Sequence, residues 1–295
     1  MYKQIDSNKR NSVILVILFF IILGGLGYAF DLFYGSGQGY FPYVGVIVAV
    51  VFSLIMTSVS YYSGDKIALS ASGAKQIKHS DNPYLYRMVE NLAITAGIKT
   101  PKVHIIEDSS INAFATGRKP ELSSIAVTTG AIEKLENEEL EGVIAHEMSH
   151  VKNYDIRFMM LVAVLVGSIA ILSDIFLRMS FFGKKGSNKK GSHPAIIIVG
   201  IVFIILSPII ANLVKLAISR KREYLADASG SLLTRYPEGL ARALEKIAAE
   251  NQPMKKKSKA TAHLFISNPF QGKKVRHIFS THPPLEDRIR KLREM

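Results

Sequence analysis

Four long stretches nearly free of charge restrict what this chain can fold into more than any other feature. Ser12–Phe30, Tyr43–Tyr62 and Pro194–Val214 hold no Asp, Glu, Lys or Arg, and Phe158–Phe182 holds only Asp174 and Arg178, both near its far end. A helix rises about 1.5 Å per residue, so about 20 apolar residues cross about 30 Å of hydrocarbon. Four such helices are too many for the core of a soluble protein of 295 residues, even one with 48% hydrophobic residues. They predict two membrane helices within residues 1–62 (about 12–30 and 43–62) and a polar part over 63–157. A membrane hairpin over 158–218 (about 158–182 and 194–218) and a second polar part over 219–295 follow. The first stretch is longer than the apolar region of a secretion signal, and Gly24-Gly25-Leu26-Gly27 offers no small-x-small cleavage site. An uncleaved anchor is expected.

Positive residues mark the cytoplasmic ends of membrane helices. Lys3, Lys9 and Arg10 precede the first stretch, Asp31–Pro42 carries neither Lys nor Arg, and Lys66, Lys75 and Lys78 follow the second. Lys152 and Arg157 precede the third, and Arg220, Lys221 and Arg222 follow the fourth. Both termini and both polar parts are therefore expected in the cytoplasm. Arg178, Lys184, Lys185, Lys189 and Lys190, in the third connection, run against the rule. The net charge of +13 comes from residues that flank the apolar stretches or gather within 255–276. Anionic lipid headgroups, not nucleic acid, are the partner this placement suits.

The polar part between the second and third stretches contains His146-Glu147-Met148-Ser149-His150. On a helix, residues four apart lie one turn above each other on the same face, so both imidazoles can reach one tetrahedral Zn²⁺. Glu147, about 100° further round, is placed to touch a water beside the metal. Leu140, Val143, Ile144 and Val151 give the segment an apolar stripe at helical spacing, and Asn137 is the expected N-cap with Glu138 and Glu139 in the first turn. The chain has no cysteine, so any zinc is held by His and carboxylate alone.

A catalytic zinc takes three protein ligands and keeps one position open. His79, His104, His193, His263, His277 and His282 have no second donor at helical spacing. Glu223 and Asp227, just past the fourth apolar stretch, are four apart on one expected helix face. One can bind metal while the other holds an imidazole; the alternative is a solvated turn in which Glu223 pairs with Arg220 or Lys221. The motif helix is expected to run on through Asn153 and Arg157 into the third stretch, and the fourth to return to Glu223. Elsewhere Pro83–Ile98 reads as an amphipathic helix, and Lys102–Glu107 and Ser123–Thr129 as short strands. Asn112–Gly117 reads either as an edge strand able to accept an extended peptide or as a surface loop.

The motifs Asn112-Ala113-Phe114-Ala115-Thr116-Gly117, Val127-Thr128-Thr129-Gly130, His146–His150, Ser219–Asp227 and Thr281-His282-Pro283-Pro284 occur in this order. Together they make the chain closely resemble the bacterial HtpX-type membrane zinc metalloproteases, relatives of the CAAX prenyl endopeptidases, along essentially its whole length. The resemblance implies an α+β fold, mainly helical, with a zincin-like catalytic part and a small sheet on a four-helix membrane anchor. It implies one Zn²⁺ on His146, His150 and Glu223, Glu147 as general base and proton donor, and Asp227 in support of a zinc histidine. It implies further that Asn112, Ala113, Phe114 and Ala115 line the substrate cleft. His282 and Arg288 would lie near the active site, holding substrate or the oxyanion; the plainer reading of that segment is a helix start after Pro283 and Pro284. The expected activity is that of a gluzincin-type endopeptidase in the bacterial inner membrane. It would cleave misfolded or damaged membrane proteins on the cytoplasmic side as part of a stress response.

Three other readings compete. Cleavage inside the bilayer is disfavoured because Glu136, Glu138, Glu139, Glu141, Lys152, Asn153 and Asp155 crowd the motif, and charges are costly in hydrocarbon. CAAX processing in a helix-walled chamber calls for more spans than four. A non-catalytic membrane adaptor has no use for Glu147.

Overall fold

The computed structural model describes residues 2–34, 41–182, 219–250, 252–256, 258, 260–270 and 283–295. The expected fourth membrane helix at 194–218 and His282 lie outside the described residues. Two helices begin the chain, α1 (Tyr2–Tyr34) and α2 (Val44–Ser72). Both are long and apolar enough to cross a membrane, and only 22% and 11% of their most apolar windows are buried within the protein. Ile17, Ile21, Ile47, Val48 and Leu54 project from them more than half exposed. Such surfaces suit lipid, whereas a soluble core would bury them.

Both helices outrun their expected bounds of 12–30 and 43–62. No breaker separates the polar turns of Lys3–Asn11 from the apolar run, so α1 starts ten residues early. α2 continues past Asp65 and Lys66 until Gly73, whose φ of 71° closes it as a left-handed C-cap. The pair meets at Gly27 and Gly45, where a Cβ on Gly27 would stand 2.3 Å from the Gly45 carbonyl oxygen. Tyr43 offers no side-chain cap to α2. Asp31 of α1 supplies one across the gap, accepting from the N–H groups of Gly45 (2.7 Å) and Val46 (3.0 Å). A carboxylate there also meets the positive end of the α2 dipole.

The polar part is a four-stranded sheet with helices. Its strands are β1 (Ala74–Gln76), β2 (Lys102–Ile106), β3 (Ala113–Gly117) and β4 (Ser123–Thr128), in the order β1-β2-β4-β3. β2 and β4 run parallel, with His104 opposite Ala126; β1 and β3 flank them antiparallel, with Phe114 opposite Ala126. Helix α3 (Pro83–Ala96) starts under an Asn82 cap, and α4 (Thr129–Lys134) under a Thr128 cap. The motif helix α5 (Asn137–Lys152) packs Leu140, Val143, Ile144 and Met148 into a core shared with Leu85, Val89 and Leu92 of α3. Val103 and Ile125 of the sheet and, further along the chain, Leu240 and Leu244 join that core. α6 (Asp155–Phe182), α7 (Arg220–Thr234), α8 (Pro237–Ala249) and α9 (Leu285–Arg293) follow.

Three expectations need correction. The N-cap of α5 is Glu136, not Asn137: Glu136 and Glu139 form a reciprocal capping box that outcompetes the shorter asparagine. α5 does not run on into the third apolar stretch. It ends at Lys152, Tyr154 takes a left-handed φ of 61°, and α6 begins afresh at Asp155. The first half of α6 is then mostly buried, with Phe158, Leu161, Val162, Leu165 and Ile169 packed on Leu15, Phe19 and Leu23 of α1. Finally, the edge at Asn112–Phe114 is not open. Phe265 forms an antiparallel bridge with Phe114, and Ile266 N–H donates to the Ala113 carbonyl at 2.9 Å. The Phe114 and Phe265 rings lie 4.8 Å apart, and Asn112 accepts from and donates to the Ser267 backbone.

Candidate active site

α5 and α7 build the site because they approach unusually closely. Gly230 of α7 faces α5, where a Cβ would lie 3.0 Å from the His146 nitrogen. Glu223 and Asp227 sit seven and three residues before it on the same helix face, so this contact aims both carboxylates at α5. All the side chains involved are buried.

The two histidines present their Nε2 atoms to each other at 3.2 Å, with ring planes at 90°. Glu223 Oε1 lies 3.6 Å from His150 Nε2, and its Oε2 lies 3.8 Å from His146 Nε2. Each imidazole has a carboxylate behind it. His146 Nδ1 is 2.9 Å from Asp227 Oδ1, and His150 Nδ1 is 3.0 Å from Asp155 Oδ2. A carboxylate only accepts, so both Nδ1 atoms carry the proton in the neutral rings and both Nε2 atoms turn lone pairs inward. Two lone pairs and a carboxylate converging in a buried space call for a cation. About 2.0–2.1 Å from zinc to each donor in a tetrahedron gives donor separations of about 3.4 Å, close to those found. Among the described residues these three are the group whose donors all lie within 4.8 Å of one another. The donor set fits a divalent metal.

Glu147, on the same helix turn, receives a hydrogen bond from the Ala115 backbone N–H. Burial, reinforced by the Glu223 charge, lifts its pKa from 4.5 to about 8. In the metal-free protein the carboxyl is thus poised to exchange a proton near neutrality. Burial works against ionisation of Asp227, but the adjacent Arg288 charge and hydrogen bonds from His146 and Arg288 prevail and pull it down to about 2. The histidines move oppositely. Burial and Arg288 lower His146, whereas for His150 the effect of burial is outweighed by the Asp155 hydrogen bond and the Glu223 charge, which raise it to about 9. A dication between them would favour the neutral form of both.

The other expected residues separate. Arg288 is fully buried; its Nε and Nη2 hold the two Asp227 oxygens at 2.9 and 2.7 Å, and Nη1 lies 3.7 Å from Glu223. It stands behind the donor set and not in an open cleft. Ala113, Phe114 and Ala115 form the buried start of β3 and Asn112, also buried, precedes it; of these Ala115 reaches Glu147. The sequence reading missed Asp155, treating it only as a flanking charge. Its signal was a carboxylate five residues after His150 at the mouth of an apolar stretch.

Paired imidazoles, a carboxylate as third donor and a buried carboxyl beside them are the arrangement of a metallopeptidase site. The model for peptidase family M48 matches residues 79–295. Proteins described as Protease HtpX homolog match the whole chain: 44% identity in Dictyoglomus turgidum (94% of that protein covered) and 43% in Tropheryma whipplei strain Twist (98% covered). The homolog of that name from Lactobacillus acidophilus is 44% identical over its full length. The crystal structure of S. mikatae Ste24p shares the fold at a TM-score of 0.51 and 21% identity, covering 99% of this chain and 67% of that one. This chain belongs to peptidase family M48, in its HtpX group, and is a membrane-associated metalloprotease acting on polypeptides.

Proposed function

We propose that the chain is a zinc endopeptidase anchored in the bacterial inner membrane by four helices. It cleaves misfolded or damaged membrane proteins on the cytoplasmic side as part of quality control under stress. The observation that carries the zinc reading is the pair of facing Nε2 atoms, 3.2 Å apart, each backed by a carboxylate at Nδ1. Lysines and arginines around the apolar helices support the cytoplasmic orientation and a contact with anionic headgroups. The exposed apolar surfaces of α1 and α2 support a site that works beside substrates that are themselves in the membrane.

His146, His150 and Glu223 would hold the ion. When bound, zinc lowers the pKa of a coordinated water to about 7 and polarises a carbonyl oxygen. Glu147 takes the proton from the attacking water and later delivers it to the leaving amine. Asp227 and Asp155 keep each imidazole turned with its Nε2 inward, and Arg288 keeps Asp227 ionised. A peptide would lie extended along β3 by displacing Phe265–Ser267 from that edge.

The test pairs metal analysis with cleavage of an unfolded membrane protein by the detergent-purified chain. Glu147→Gln should keep one zinc and lose activity by at least about 10²-fold; Glu223→Gln should lose zinc on dialysis. Parental cleavage by the first, or parental zinc content in the second, would remove the assignment.

A further inference from the structure

Helix α1 reaches the carboxylate that stands behind His150. Its Asn8, 1% exposed, donates from one Nδ2 to two acceptors: the Asn153 carbonyl at 2.9 Å and Asp155 Oδ1 at 2.6 Å. An amide nitrogen has two protons and both are used. Turning the amide over would set its oxygen against two oxygens, so the partners fix its orientation. Asn153 ends α5 and Asp155 begins α6, so one side chain spans the break between them. Tyr154, at the break itself, is covered by Lys9, whose ammonium lies 4.6 Å from the ring centre. Consecutive residues of α1 thus clamp the three-residue joint.

What the joint positions is Asp155. With Oδ1 on Asn8, its Oδ2 is left for His150 Nδ1 at 3.0 Å. Arg222, on the helix bearing Glu223, adds a charge 3.8 Å from Oδ1. A carboxylate 1% exposed holds its place only if its oxygens are satisfied. Without Asn8, Oδ1 lacks its short hydrogen bond and the left-handed joint loses its tie, so Asp155, with Arg222 still 3.8 Å away, turns from the imidazole more readily. We propose that Asn8 is a positioning residue for the metal site: through Asp155 it orients His150, which makes the first membrane helix a working part of the active centre. This rests on the metal-site reading above.

The test uses the full chain in detergent loaded with Co²⁺, whose visible absorption reports ligand geometry, and with Zn²⁺ affinity measured against a chelator. Partners behind a metal-bound imidazole typically change affinity by about 10–100-fold. Asp155→Ala should weaken zinc binding by about that much, and Asn8→Ala by about 10-fold with an altered cobalt spectrum. The double variant should be no worse than Asp155→Ala, because the two act in series. Asn8→Leu, which keeps roughly the side-chain size but has neither donors nor charge, should match Asn8→Ala and serves if the alanine variant folds poorly. Ser12→Ala removes a hydrogen bond to the Asn8 carbonyl (2.8 Å) in the same buried stretch of α1 and should leave metal binding unchanged.

Parental affinity and spectrum in both Asn8 variants would overturn the proposal while leaving the metal site intact. So would losses that multiply in the double variant, or a Ser12→Ala effect equal to that of Asn8→Ala. A parent protein that takes up no metal would instead remove the metal-site reading, and this inference with it.

Discussion

Asp227 and Arg288 form an ion pair from which almost all water is excluded, and neutralising one member should cost far more than neutralising both. In the parent the guanidinium is 0% exposed and holds both carboxylate oxygens, at 2.9 and 2.7 Å. Asp227→Asn keeps the shape but leaves a buried cation facing an amide, with Glu223 the nearest remaining anion at 3.7 Å from Nη1. Breaking a buried pair in this way costs about 3–5 kcal/mol. For a chain of this size that lowers the unfolding temperature by on the order of 10 °C. Arg288→Gln should cost a similar amount, since it strands the carboxylate instead. The double variant places two neutral amides where the ions were. A Gln nitrogen falls near the position of the Arg288 Nε and keeps one hydrogen bond, so most of the lost stability should return. Zinc affinity should not return with it, because His146 has exchanged a charged acceptor for a neutral one. Thermal unfolding in detergent after chelator treatment isolates the stability effect, since bound metal adds its own stabilisation. Chelator competition then measures affinity. A double variant as unstable as the sum of the singles would refute the reasoning, as would an Asp227→Asn protein within about 1 kcal/mol of the parent.

Other outcomes follow from the same geometry. Glu147 has its pKa raised from 4.5 to about 8, so the metal-free native state binds more protons than the unfolded chain between those values. Its stability should therefore fall as pH rises from about 4.5 to about 8. In chelator-treated unfolding curves Glu147→Gln should remove the part of that fall below about 6.5, where His150, raised to about 9, does not yet contribute. Gly27→Ala drives a methyl to 2.3 Å from the Gly45 carbonyl oxygen and should cost about 1–3 kcal/mol, whereas Gly24→Ala, with nothing within 4 Å, should be neutral or slightly stabilising. Parallel thermal melts of the two variants distinguish a helix contact from a general intolerance of alanine.

The parts of the site legible in the sequence were those carried by local periodicity. His146, Glu147 and His150 share one helix turn, and Glu223 and Asp227 another, so spacing alone placed each set on a face. The strands at 102–106 and 123–128 and the helix at 83–96 announced themselves by alternation, by apolar pattern and by the Asn82-Pro83 start. What stayed hidden depends on contacts distant in sequence. Asn8 reads as one polar residue among several at the chain start, and its role comes from docking on residues 145 and 147 positions away. The break at Tyr154 carries no glycine or proline, and the flanking Asn153 and Asp155, which favour helix ends, are a weak local signal; tertiary partners hold the left-handed turn. β1 spans only Ala74–Gln76, too short to show a pattern. Arg288 looks like any exposed charge of a basic helix until α9 is packed against α7.

The bridge between Phe265 and Phe114 gives this protease a built-in competitor for the sheet edge. Because the competitor is tethered, it acts at an effective concentration of about millimolar, far above that of any single cleavage site. A folded substrate with one short extended segment competes poorly for a place on β3. An unravelled chain offers many extended segments in succession near the same membrane surface and so prevails by number. If peptides bind along β3 as proposed, a preference for damaged over intact polypeptides would follow from tethering statistics.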